Sequence, residues 1–181
     1  MIFGFRLTHI AIMLVAATAA GSVTAGNPKD VRRAKDRTKI AECLRCDLSG
    51  ADFRNGFFQL AVLIEANLSG AKFDGANMAG TQLNNANLSN GTFTYTNFSG
   101  SQLQGADMRN ADFSGAWFNW AWLPGARLDG ADFTGAHMIG AQLQGADMSK
   151  VIGLTQGQLR FACGDATTRL PAGIETPRCP Y

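Results

Sequence analysis

Histidine occurs only twice in the chain, at His9 and His137. That shortage removes the base from a Ser-His-Asp arrangement and most of the ligands from a histidine metal cluster. No phosphate-binding loop and no zinc-type spacing is present either. Charge is scarce too: 17% of residues are Asp, Glu, Lys or Arg, and 16 basic against 14 acidic residues leave +2. Such a chain offers no concentrated basic surface for nucleic acid or an anionic membrane. Long apolar runs are few, and glycine occurs 21 times, a composition that does not suit an ordinary helical or α/β domain. Hydrophobic residues still make up 46%, enough for a core. A length of 181 residues suggests one domain with terminal extensions.

Residues 1–25 have the pattern of a secretory leader. Arg6 lies in a short n-region, Ile10 to Ala20 form the apolar stretch, and Val23-Thr24-Ala25 supplies the small-x-small site. Gly26 is the expected new N-terminus. The apolar stretch is too short to cross ~30 Å of hydrocarbon as a helix; an uncleaved N-terminal anchor is the alternative. No cysteine lies near the cleavage point, which argues against lipid anchoring. Losing Arg6 leaves the mature chain at +2 − 1 = +1. The protein is therefore expected to be exported, periplasmic or secreted.

From Leu48 onward the sequence keeps a five-residue rhythm. Every fifth residue to Met148 is Leu, Phe or Met, and two residues before each stands a small one, mostly Ala. A period of five fits neither a helix at 3.6 nor a strand at 2, so the chain must turn a corner in every repeat. Sorting by twenty shows how many corners close a turn. Phe53, Phe73, Phe93, Phe113 and Phe133 form one pure set, and Leu63, Leu83, Leu103, Leu123 and Leu143 another. Like stacked on like requires four repeats per coil; a period of fifteen would scramble both sets.

Segments such as Ala51-Asp52-Phe53-Arg54-Asn55 and Ala131-Asp132-Phe133-Thr134-Gly135 resemble the A-(D/N)-L-x-x unit of pentapeptide-repeat proteins. The resemblance runs from 46 to 150 without a gap. It implies an all-β fold, a right-handed quadrilateral β-helix of about five coils with a solid core. At ~4.8 Å per stacked strand the body is about 25 Å long. The domain plan is thus a leader (1–25), a basic N-terminal capping segment (26–45), the solenoid (46–150), and a C-terminal cap helix with a Pro-rich tail (151–181).

Solenoid ends need caps, because a bare coil exposes core and unpaired backbone. Residues 28–42 read as a basic helix with Val31, Ala34, Thr38 and Ala41 along one stripe. Its lysines and arginines form a solvated face, or at most a peripheral contact with an anionic membrane at about 1 kcal/mol per residue. Thr155-Gln156-Gly157-Gln158 fits a capping box opening a short helix over Leu159, Phe161 and Ala162. Four cysteines in an exported chain suggest disulfides. Cys43 and Cys46 fall on the inward grid at the start of the coil, whereas Cys163 and Cys179 lie past its other end. A disulfide needs Cα atoms within ~7 Å, so Cys43–Cys46 and Cys163–Cys179 are the expected pairs.

The outward positions separate the four sides, centred in the first coil on Leu48, Phe53, Phe58 and Leu63. Sides one and two carry the aspartates, among them Asp129 and Asp132, with Arg54, Lys72, Arg109, Arg127 and Lys150. Sides three and four hold one acid, Glu65, and are dominated by Asn and Gln. Apolar residues at outward register fall there: Phe57, Leu60, Val62 and Ile64 in the first coil, and Trp117, Trp120 and Trp122 three coils on. Exposed apolar patches mark interfaces, and tryptophan is favoured at hot spots. Coverage by the protein's own ends and a glycan-stacking platform are the alternatives. The reading is a non-enzymatic exported scaffold that binds a protein partner or a second copy, with no cofactor, metal or nucleic acid. A gyrase-directed DNA mimic is disfavoured, because residues 46–150 hold 9 acidic and 5 basic residues, 5 − 9 = −4. A purely structural, self-associating envelope protein remains a further reading.

Overall fold

A computed structural model describes residues 26–35 and 42–179. The proposed leader, and Thr38 and Ala41 of the basic stripe, lie outside the described residues. Backbone pairing follows the twenty-residue sort. Parallel bridges join Asp47 to Asn67, Asp52 to Lys72, Phe57 to Asn77 and Val62 to Gln82, and the same offset repeats down the rod to Asp132 and Ile152. Each rung is doubly bonded: the Asn67 amide donates to the Cys46 carbonyl at 2.8 Å, and the Leu48 amide to the Asn67 carbonyl at 2.8 Å. Coils 1 to 5 are therefore residues 46–65, 66–85, 86–105, 106–125 and 126–145.

Each corner is a four-residue turn. The Ala51 amide donates to the Leu48 carbonyl at 3.2 Å, and the third turn residue, Gly50, has φ 62°. That left-handed conformation explains the glycine and asparagine common at the fifth repeat position. Just before many corners an Asp or Asn at the outward centre accepts from the amide two residues on, as Asn67 does from Ser69 at 3.2 Å. This Asx geometry favours the turn locally.

Inside, the Phe column of side two stacks ring on ring. Phe73 to Phe93 is 5.5 Å and Phe93 to Phe113 is 5.1 Å between centroids. Phe118, from side three, meets Phe113 edge-on at 5.3 Å. All of these rings are fully buried, and burial of each contributes about 1.5–3 kcal/mol, with roughly 0.5–1.5 kcal/mol more from ring geometry.

At the N-terminal end, α1 spans Pro28–Lys35. Asn27 caps it, accepting from the Lys29 amide at 3.0 Å, and Pro28 occupies the first helical position, where its missing N–H is harmless. The helix lies against side one rather than over Phe57. Gly26 and Asn27 donate to Ser49 and Asp47 carbonyls, and Asp30 accepts from the Asp47 amide at 3.0 Å. Ala34 of the expected stripe is buried and Val31 packs on the core.

The C-terminal end departs from the expected cap helix and irregular tail. Residues 156–161 form consecutive turns, with i to i−3 bonds such as Ala162 to Leu159 at 3.0 Å. The Gln158 oxygen does accept from the Thr155 amide at 2.8 Å, but its amide nitrogen donates to the Phe133 and Ala136 carbonyls. That residue is recruited to close the coil, and a helix does not follow. The tail then rejoins the ladder through Gln142–Cys163, Asp147–Arg169 and Gly164–Arg178. Disulfides join Cys43 to Cys46 and Cys163 to Cys179, with Cα atoms 5.2 and 4.4 Å apart.

Three small inward positions are polar and fully buried. The Thr81 and Thr96 hydroxyls donate to the Phe58 and Phe73 carbonyls at 3.0 and 2.7 Å. The Ser101 hydroxyl has no partner among the described residues. A buried unsatisfied hydroxyl costs about 1–3 kcal/mol. Ser101→Ala is therefore expected to raise the chemical-denaturation midpoint, whereas Thr96→Val lowers it by removing a made hydrogen bond.

Candidate interaction surface

The two halves of the surface treat charge differently. On side one, Asp107 takes Arg109 at 2.5 Å and Arg127 at 3.7 Å. On side two, Asp52 pairs with Arg54 at 2.6 Å. The rungs of side one alternate in sign through Asp107, Arg127, Asp147 and Arg169. These carboxylates sit below the ordinary range. The Arg109 side chain is the chief cause at Asp107, the Arg54 side chain at Asp52, and the Ser49 hydroxyl and amide at Asp47. Asp132 accepts from the Thr134 amide and hydroxyl, and Asp129 faces Lys150 at 3.6 Å. The charged side is largely occupied with holding its own turns and rungs.

Sides three and four are built from the same backbone with different groups. Phe57, Asn77, Asn97, Trp117 and His137 form one column, and Val62, Gln82, Gln102, Trp122 and Gln142 the next. At the corner between them stand Leu60 and Trp120, both in the left-handed region at φ 61° and 59°. Bulky residues there are uncommon, and glycines one coil on make room. A Cβ on Gly80 would lie 2.7 Å from Leu60 Cδ2, and one on Gly140 2.4 Å from Trp120 Cε3.

Phe57 is 66% exposed, Leu60 60%, Trp120 63%, and Trp117 and Trp122 49% each. Val62 and Ile64 are only half-buried, less open than the sequence pattern suggests. Val62 is flanked on its own side by Glu42 and Gln82 in adjacent rungs, which shield a short β-branched side chain. The tail leaves the tryptophans exposed. Ile139, 49% exposed, and Phe161, 57%, extend the apolar corner. Phe161 was not apparent from the repeat because it lies beyond Lys150, where the rhythm has ended. Its carbonyl accepts from the Gly140 amide at 2.8 Å, which brings it beside the corner.

A family model for pentapeptide repeats matches residues 41–80, 81–118 and 111–149. The chain belongs to the pentapeptide-repeat family. Membership accounts for the right-handed β-helix, and proteins of this kind are generally structural or binding modules. Among curated proteins no significant match is found. Similar solved structures include a pentapeptide-repeat protein of the Arabidopsis thaliana thylakoid lumen, at 23% identity over 69% of this chain and 75% of that one, TM-score 0.39. HetL, involved in heterocyst differentiation regulation in the cyanobacterium Nostoc sp., is 23% identical over 72% of this chain and 73% of its own, TM-score 0.31. QnrB1, a plasmid-mediated fluoroquinolone resistance protein, is 23% identical over 66% and 57%, TM-score 0.39.

Among the described residues of this pentapeptide-repeat protein, no helix is long and apolar enough to cross a membrane, and no group of three or more His, Cys, Asp or Glu could hold a metal ion. The lowered aspartates fix the sign of its acid response. A carboxylate whose folded pKa is depressed stabilises the fold fully above its unfolded value near 4, and that contribution is lost as pH falls through the folded value. Thermal melts from pH 7 to pH 2 should be flat to about pH 4 and then decline. Asp107→Asn should shallow that decline, since it removes a linked carboxylate.

Proposed function

We propose that the chain is an exported, non-enzymatic scaffold that binds a protein, either a different partner or a second copy, through sides three and four. The observation that carries this reading is the exposed corner of Trp117, Trp120 and Trp122 on a side whose other outward residues are chiefly amides. Tryptophan gives a large, rigid contact surface with one polar N–H, which suits it to hot spots. Amides around it can match many polar partners without desolvating a charge. The titratable groups fit no reaction: the aspartates lie spread along the rod and are taken up by turns and ion pairs.

Export is supported by the leader pattern of residues 1–25. The two cysteine pairs suit an oxidising compartment, periplasmic or extracellular. The basic N-terminal segment is left at most a peripheral role at a membrane. Gyrase-directed mimicry finds no support in the charge pattern, since a phosphate-like column needs a run of unpaired acids, whereas side one reads Asp47, Asn67, Asn87 and then alternates acid with base from Asp107 to Arg169.

Two measurements test the reading. Residues 1–25 fused to a compartment-sensitive reporter should deliver it out of the cytoplasm, and a reporter that stays inside counts against export. The full protein should capture a partner from the envelope fraction, and Trp117→Ser/Trp122→Ser should weaken capture by roughly a thousandfold if the two indoles contribute about 2 kcal/mol each. Binding that survives the double substitution would move the interface elsewhere.

A further inference from the structure

Sides three and four present the same chemistry from either end of the rod. Down side four the central outward residues of coils 1 to 4 are Val62, Gln82, Gln102 and Trp122, joined rung to rung. Down the adjoining corner they are Leu60, Gly80, Gly100 and Trp120. One row reads apolar, amide, amide, apolar; the other reads apolar, glycine, glycine, apolar. The likeness of the ends extends to the backbone, since Leu60 and Trp120 share the left-handed conformation and each lies over the glycine one coil on.

We infer that this side is a two-fold interface between two copies of the chain, packed antiparallel with the axis crossing between coils 2 and 3. The inference rests on the reading that sides three and four bind protein, and it names the occupant. In an isologous contact, if residue a meets residue b, then b meets a, so the surface must be symmetric in kind about the axis. The two apolar ends stand three coils apart, about 14 Å at the strand spacing. Rotation about the axis sets Val62 against Trp122 of the second copy, and Gln82 against its Gln102.

The middle of the contact is chemically matched to itself. An amide carries both donor and acceptor, so it pairs with another amide, whereas like charges placed opposite each other repel. Neither Gln82 nor Gln102 makes a side-chain hydrogen bond among the described residues, which leaves both groups available. The acids on this side fit as well. Glu65 is held by Arg45 at 2.6 Å, and Glu42 falls opposite Gln142, an amide donor. The space over Gly100 is open, with nothing within 4 Å of where a Cβ would stand. Leu60 leans over Gly80 and so faces that opening on the second copy. Four coils of one side make a smaller contact than the ~1,200–2,000 Å² of a standard interface, so the dimer dissociates on dilution.

Sedimentation equilibrium of the full protein across a concentration series tests this, with tryptophan emission followed in parallel. All three tryptophans of the chain border the contact, so association should shift emission to shorter wavelength. Gln82→Lys/Gln102→Lys places lysine opposite lysine and should weaken the dimer at least about tenfold. Gln82→Lys/Gln102→Glu places lysine opposite glutamate and should dimerise at least as well as wild type; it also controls for folding, which thermal melts confirm. A wild type that stays monomeric, equal loss in both variants (the result for a parallel dimer), or no loss in either overturns the inference. A monomer that still captures an envelope protein through Trp122 overturns the second copy and leaves the proposed function standing. Absence of both dimer and capture removes both.

Discussion

Everything in this molecule depends on the doubly bonded rung between residues twenty apart. The Asn67 amide and carbonyl each bond the coil before it, through Cys46 and Leu48, and the same pair recurs around all four sides. Because each rung satisfies both backbone groups of its central residue, the outward side chain there is free of structural duty toward the backbone ladder. The inward positions have no such freedom. They must be small, then large two residues on, each recurring every five, or the coil fails to close on its core.

That division of labour makes the surface a separate text written on a fixed frame. Sides one and two spend their outward positions on Asx turns and ion pairs, with Asp107 serving Arg109 and Arg127 at once. Exposed pairs of this kind are individually weak. On side one the alternation from Asp107 to Arg169 keeps like charges from stacking in adjacent rungs, whereas on side two Asp112 and Asp132 do stack and each accepts from the serine or threonine two residues on. Sides three and four use amides instead, and the corner accepts Leu60 and Trp120 in a conformation bulky residues rarely adopt. The cost of that conformation is local. The contact area it presents is available to a partner.

Much of this was legible in the sequence because the solenoid repeats in the chain's own numbering. The pure Phe and Leu columns require four sides, and that assignment places Phe57 and Trp117, sixty residues apart, in one column. What could not be read lies where the rhythm ends. Leu159 is fully buried but stands off the five-residue grid, so the continued ladder through Cys163 and Arg169 has no periodic signal. Thr155 and Gln158 carry a helix-start pattern, yet Gln158 is drawn to the open carbonyls of the last full coil. Local pattern there was outweighed by the unsatisfied edge of the solenoid. Val62 and Ile64 are likewise less exposed than their register implies, because register gives direction and says nothing of how tall the neighbours are.

The twenty-residue rung also makes the position of any surface group discrete. Inserting a full coil between the tryptophan corner and the Cys163–Cys179 disulfide would move the two apart by about 4.8 Å without rotating either. Inserting a single repeat ahead of Trp117 would turn everything beyond it by a quarter, carrying Trp117 to side four and Trp122 to the charged side one. Gradual adjustment is not available to such a rod. Its recognition sites can be relocated only along a lattice of four bearings and one pitch, so length and azimuth are set by how many repeats the gene encodes.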